Sequence, residues 1–282
     1  MRKSKSKQKL LAKKPGSIAG IVSIPGDKSI SHRAIILSMI AEGKTRIHNI
    51  LDSSDTNKSL HAAIKLGIEC KKKDGFMEIS GKGLYGLKDP GQELFFANSG
   101  TSIRLFMGVL AAQKFSSTLS GDSSLSARPM ERVAVPLRKM GARIEMENDH
   151  APLQIYPSDQ IIGIKQRLNV PSAQVKSAVL LAALYANSKT VLSTSSVTRN
   201  HTELMLEFFG CDIRHNEQEI ILEQGELKGI NALTIPGDFS SASFLTLASL
   251  LAKDSQIIIK NVGLNPTRIG FLKILQMMGG NI

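Results

Sequence analysis

The sequence predicts an α/β protein built from repeated β-α-β-α-β-β units, three of them complete and a fourth in part. Three observations point to it. Four apolar helical stretches close with a hydrophobic residue and a glycine, at Leu66-Gly67, Met140-Gly141, Phe209-Gly210 and Met278-Gly279, about 70 residues apart. A second set of apolar helices opens on small polar clusters. Short β-type runs follow helices of both sets.

A leading strand is expected over residues 18–24. The polar clusters are Gly26-Asp27-Lys28-Ser29, Asn98-Ser99-Gly100-Thr101, Pro171-Ser172-Ala173-Gln174 and Pro236-Gly237-Asp238-Phe239-Ser240. Their helices run through residues 34–41, 105–112, 175–186 and 244–252, and β-branched runs such as 45–50 and 256–260 come next. Each glycine-closed helix is followed by a further β run, over 68–71, 142–146, 211–214 and a short 281–282. Glycine fits these helix ends because it takes the left-handed conformation that caps the final carbonyls. The fourth unit keeps an apolar helix (Ile274, Leu275, Met277, Met278) without its closing strands, which leads us to expect that the natural domain continues beyond Ile282.

With 42% apolar residues among 282, the chain has material for a substantial core. Cys70 and Cys211 lack any metal or disulfide spacing, which fits a reducing cytoplasm, and no apolar window is long enough to span a membrane. The net charge of +12 owes seven cations to residues 1–14; without them it is +5. That run reads as a solvated tail, and the remaining excess suits an anionic small molecule. With no Trp and three Tyr, no platform for stacking nucleic-acid bases is visible.

A polar cluster at a helix start is a ready anion site, because first-turn N–H groups are unpaired and the helix dipole is positive there. Lys28 adds a charge at the first cluster, and Arg33 lies four residues after Ser29 on the same face. The alternative is an ordinary cap with Arg33 in solvent. A nucleotide P-loop is disfavoured because its glycine spacing is missing around Gly26-Asp27-Lys28-Ser29.

The ordered set IPGDKSISHR (24–33), NSGTSIR (98–104), ARPMER (127–132), PSAQVKSA (171–178), TRNHTE (198–203) and NPTR (265–268) resembles the signature segments of 5-enolpyruvylshikimate-3-phosphate synthases, class II subgroup, from Ser17 onward. The resemblance implies an enolpyruvyl-transferase-like inside-out α/β barrel in two domains. Residues 1–16 would be the basic tail, 17–23 a strand of the second domain, 24–235 the first domain with three repeats, and 236–282 the start of the second. The crossings at Ile24-Pro25 and Ile235-Pro236 would be the hinge.

It implies transfer of the enolpyruvyl group of phosphoenolpyruvate to the 5-hydroxyl of shikimate 3-phosphate, by addition to a protonated enol and loss of phosphate. The bond cleaved is carbon–oxygen, so no metal and no cofactor are expected. Lys28, Ser29, Arg33, Ser172, Ala173, Gln174 and Arg199 would hold shikimate 3-phosphate. Lys28, Asn98, Gly100, Thr101, Arg128 and Gln174 would hold phosphoenolpyruvate, with Lys28 also catalytic. Arg199 has the alternative of pairing with Glu203 one turn on, and Gln174 that of facing solvent. His32 and His201 read as structural or solvent-facing.

Gly100 leaves room where some class II members carry Ala and tolerate glyphosate, so a complete version is expected to be inhibited by it. The family's acid/base Asp, second Lys, Glu and two further Arg follow the matched region, so little turnover is expected of this chain alone. The protein is expected to act as a cytoplasmic monomer with no nucleic-acid or membrane partner. Two rivals are set beside this. The sister family that acts on UDP-N-acetylglucosamine carries a reactive Cys five residues before its Arg-Pro, where this chain has Ser123 before Arg128-Pro129. The other is a non-catalytic phosphometabolite- or nucleic-acid-binding module using the basic tail.

Overall fold

The structure, a computed structural model, describes Leu11, residues 16–169 and 171–282. The basic tail expected over residues 1–16 therefore lies outside the described residues except for Leu11 and Gly16.

In chain order the elements are β1 (Ala19–Ser23), α1 (Lys28–Ile40), β2 (Glu42–His48), α2 (Ser54–Lys65), β3 (Glu69–Lys73), β4 (Phe76–Lys82), β5 (Leu94–Phe95), α3 (Gly100–Leu110), β6 (Ser117–Ser120), α4 (Ser123–Ser126), α5 (Glu131–Lys139), β7 (Arg143–Met146), β8 (Leu153–Tyr156), β9 (Lys165–Leu168), α6 (Ala173–Ala183), β10 (Thr190–Thr194), α7 (His201–Phe208), β11 (Ile213–His215), β12 (Glu219–Leu222), β13 (Leu233–Thr234), α8 (Phe239–Leu251), β14 (Gln256–Lys260) and α9 (Gly270–Met277). The polar clusters prove to be helix starts: Asp27, Ser99, Ser172 and Asp238 each accept a first-turn backbone N–H. The four closing glycines all have left-handed φ, between 85° and 97°. Residues 281–282, expected to begin a strand, form none, and α4 was not anticipated.

Three four-stranded sheets share one plan. In β5-β6-β8-β7, β5 runs parallel to β6 across the α3 crossover, and an antiparallel hairpin continues the sheet. The sheet β9-β10-β12-β11 repeats this around α6. The third, β13-β2-β4-β3, has the same order, but its parallel strand β13 is the one that precedes α8 of the fourth unit. The strand that precedes α1, β1, instead pairs in parallel with β14 of the fourth unit, Ala19 opposite Gln256. Units one and four have thus exchanged their leading strands.

The crossover helices explain the inside-out arrangement. Residues 31–40 of α1, 105–110 of α3 and 175–183 of α6 are buried without interruption, so these helices are covered on all sides and lie within, flanked by the sheets. The α2 and α5 helices bury one face only. No single closed barrel forms among the described residues. The fourth crossover helix differs: α8 has a similar composition, but only Phe239 and Ala242 are buried, while Phe244 and Leu251 are each 77% exposed. A cavity of about 1170 Å³ opens beneath α8 between β14 and α9, away from the polar helix starts.

The chain crossings are tied reciprocally. Asp27 N donates to the Pro236 carbonyl at 2.8 Å, and Asp238 N to the Pro25 carbonyl at 2.9 Å. Gly26 is required there, because a Cβ would overlap the Asn49 carbonyl and sit 3.1 Å from Ile235 Cγ2.

Candidate functional site

The starts of α1, α3 and α6 bring most of the expected site residues into two adjoining groups. The first lies between α3, α6 and the loop after α4. Gln174 Nε2 donates to Thr101 Oγ1 at 3.0 Å, and Gln174 Oε1 accepts from Arg104 Nη1 at 2.5 Å, so Gln174 links two helix starts rather than facing solvent. Arg128 donates to the Asn98 side-chain oxygen and reaches Ser124 Oγ at 3.4 Å. Gly100 faces this cluster: a Cβ on it would lie 3.0 Å from Arg128 Nη1 and 3.6 Å from Arg104 Nη1. Burial lowers the Arg104 pKa, and repulsion from Arg132 and Arg128 lowers it further. Three guanidiniums close enough to repel, none of them in an ion pair among the described residues, form a place where an anion is stabilised.

The second group lies between α1, α6 and α7. Arg33 is 4% exposed, which excludes the solvent-facing alternative. Its Nε donates to Thr202 Oγ1 at 2.7 Å, Nη1 to the Ser29 carbonyl at 2.9 Å, and Nη2 to Ser177 Oγ at 2.7 Å. Burial pulls its pKa down to about 10, so it stays charged at neutral pH. Ser177 Oγ in turn donates to the Ala173 carbonyl at 2.6 Å, which ties Arg33 to the first turn of α6. The α6 start therefore belongs to both groups, Gln174 on one side and Ala173 on the other. Ser172 caps this helix, accepting from Val175 N.

Lys28, 49% exposed, pairs with Asp55 of α2 at 3.2 Å, and Ser29 is half-buried beside it. Arg199 is exposed and makes no hydrogen bond or ion pair among the described residues. The alternative pairing of Arg199 with Glu203 does not occur. Glu203 is instead 2% exposed and bound to Lys176 at 2.5 Å, because α7 turns that face onto α6 and leaves Arg199 at the rim.

The histidines are structural, and neither faces solvent. His32 Nδ1 lies 2.8 Å from Ser59 Oγ, which continues at 2.8 Å to Ser102 and at 2.6 Å to the cap Ser99. Burial drives His32 to a pKa of about 3 and His201 to about 4, so both are neutral at physiological pH.

Sequence reasoning assigned no role to Arg104, Ser177, Thr202 or Arg268. A signal for two of them was available. Arg104 stands four residues after Gly100 and Ser177 four after Ala173, the spacing that had singled out Arg33 after Ser29.

Fold and site together define an α/β protein with its crossover helices inside, its sheets outside and cationic donors gathered at helix starts. The chain belongs to the EPSP synthase (3-phosphoshikimate 1-carboxyvinyltransferase) family, whose model matches residues 12–282. It is 47% identical over 270 residues to the 3-phosphoshikimate 1-carboxyvinyltransferase of Streptococcus uberis, covering 95% of this chain and 63% of that protein. Over 267 residues it is 45% identical to that of Streptococcus mutans, covering 94% and 62%. A solved structure of EPSP synthase from Acinetobacter baumannii superposes with a TM-score of 0.88 at 42% identity, covering 93% of this chain and 60% of that one. The chain thus spans somewhat under two thirds of the length of these relatives. Among the described residues no helix is long and apolar enough to cross a membrane.

Proposed function

We propose that the chain binds shikimate 3-phosphate and phosphoenolpyruvate, and that it contributes this binding to enolpyruvyl transfer giving 5-enolpyruvylshikimate 3-phosphate and phosphate. The observation that carries the reading is the bridge from Thr101 and Arg104 through Gln174 to the α6 start, which joins a cationic cluster to a second anion cradle. In this reading Lys28, Ser29, Arg33, Ser172, Ala173, Gln174 and Arg199 hold shikimate 3-phosphate. Asn98, Gly100, Thr101, Arg128 and Gln174 hold phosphoenolpyruvate, with Lys28 between the two ligands. The Lys28 ammonium would leave Asp55 for a phosphate or carboxylate oxygen, an exchange made cheap by the exposure of that pair. Arg33 binds through the N–H groups its intramolecular bonds leave over, one on each η nitrogen.

The strand exchange supports a domain division at 24–235, with 17–23 and 236–282 belonging to a second domain and the two crossings as the hinge. Two free thiols and a compact charge cluster sized for small anions support a cytoplasmic monomer without a nucleic-acid partner.

Calorimetric titration with shikimate 3-phosphate tests the reading. Saturable binding that is weakened about tenfold or more by Gln174→Ala is expected. No binding at millimolar ligand would overturn it.

Gly100→Ala provides a second measurement. Its methyl group forces the Arg128 guanidinium to give by a few tenths of an ångström and occupies ligand space beside backbone donors. Glyphosate, longer than phosphoenolpyruvate, should lose about tenfold more affinity than phosphoenolpyruvate when each is titrated with shikimate 3-phosphate present. Equal losses would show that this glycine does not discriminate between them.

A further inference from the structure

Both helices that begin at the chain crossings are capped by aspartate, an awkward cap for an anion cradle. The Asp27 carboxylate accepts from Ile30 N at 2.9 Å and that of Asp238 from Ser240 N at 2.8 Å. Each puts a full negative charge where the helix dipole would otherwise favour a phosphate, and Asp27 directly precedes Lys28 and Ser29. Arg268, in the loop between β14 and α9, stands between the two caps. Its Nη1 is 3.5 Å from Asp27 Oδ2 and its Nη2 is 3.3 Å from Asp238 Oδ1, and Nη2 also donates to Ser240 Oγ at 2.5 Å. The side chains are 11% exposed for Arg268, 7% for Asp27 and 17% for Asp238, so solvent screens this triad weakly.

Resting on the proposed role of α1, we infer that Arg268 is a positioning residue for phosphate binding, cancelling the charge of the aspartate caps so that the cradle at Lys28 and Ser29 stays attractive to an anion. Asp27 shows how costly these charges are: its pKa is raised, by burial first and then by the facing Asp238, while Arg268 pulls it back. The other charged or titratable groups that sense this patch are Arg33 on α1, Arg199 ahead of α7 and His201 on α7. His201 is neutral above about pH 5. A neutraliser matters only while that carboxylate is charged.

The test compares wild type, Arg268→Ala, and Arg268→Ala combined with Asp27→Asn, all confirmed folded by circular dichroism. Asparagine caps helices as well as aspartate does, so the second change removes charge and keeps the cap. Shikimate 3-phosphate is titrated calorimetrically into each at about pH 5 and about pH 8. Arg268→Ala is expected to bind about tenfold more weakly near neutrality. The ratio to wild type, in which the ligand's own titration cancels, should shrink at the lower pH as Asp27 takes up a proton. Asp27→Asn should restore most of the affinity at both. Wild-type affinity in Arg268→Ala, or a loss that neither acid nor Asp27→Asn relieves, overturns the inference while leaving the proposed function standing. If wild type itself binds no ligand, the proposed function falls and the binding role of Arg268 with it, and the Asp27 carboxyl carbon resonance decides whether Arg268 offsets the charge of the cap. It should titrate at higher pH in Arg268→Ala than in wild type, and an unmoved midpoint overturns the inference.

Discussion

Replacing Glu203 by Ala is expected to destabilise the protein by about 3–5 kcal/mol, a large share of the ~5–15 kcal/mol typical of a domain. Glu203 and Lys176 are 2% and 4% exposed and 2.5 Å apart, so removing the carboxylate strands a buried ammonium without its partner. The cost arises from that stranded charge more than from the lost attraction. Replacing both at once, Lys176→Met with Glu203→Leu, should therefore recover most of the loss. The neighbours on each helix, Ser177 and Thr202, hold Arg33, so the single variant should also loosen the proposed shikimate 3-phosphate cradle. Urea denaturation of the three proteins checks the stability claim. A single-variant loss below about 1 kcal/mol would mean that water reaches the pair in solution.

Gly108→Ala is expected to cost about 3 kcal/mol, at the upper end of the range for overpacking. At this point α3 meets the main chain of α6. A Cβ on Gly108 would overlap the Ala178 carbonyl oxygen and lie 2.9 Å from both the Ala178 carbonyl carbon and its Cα. Because the obstacle is backbone, Ala178→Gly should give no relief, and the helices must move apart. The same two helices carry Thr101 and Gln174 at their starts, so separating them stretches the 3.0 Å bond between the proposed substrate cradles. Urea denaturation and calorimetry together should show stability and ligand affinity falling in one variant. Unchanged stability would mean that the α3–α6 contact is looser than described.

What could be read from the sequence was local, and what could not was distant. Gly67, Gly141, Gly210 and Gly279 announced helix ends because the left-handed backbone they adopt is penalised for other residues. Ser99, Ser172, Asp27 and Asp238 announced helix starts because a cap bonds only two or three residues ahead. The surroundings of Arg33 depend on Ser177 and Thr202, which are 144 and 169 residues further along the chain, and no periodicity reports such a meeting. The alternative of an Arg199–Glu203 pair fails for a related reason. A spacing of four makes Arg199 and Glu203 neighbours on an isolated helix, but α7 begins at His201 and packs Glu203 against Lys176. Helix α8 reads like its three counterparts in composition, yet remains largely exposed, because burial depends on what lies opposite. Positions named from the resemblance were brought together where they sit on helix starts. Arg104 and Arg268, inside the same motifs, acquired roles only from their contacts.

The exchange of β1 and β13 bears on how the polypeptide reaches its native state. As the chain leaves the ribosome, Ala19–Ser23 emerges far ahead of Gln256–Lys260, its ladder partner among the described residues. Until that partner is made it is an orphan strand bearing Ile21 and Val22, the kind of unpaired edge that recruits neighbouring chains. The unit-one sheet must likewise await Leu233–Thr234 for its outer strand. Loop closures of this span are slow, so nascent chains should depend on holdase chaperones until β14 has been made.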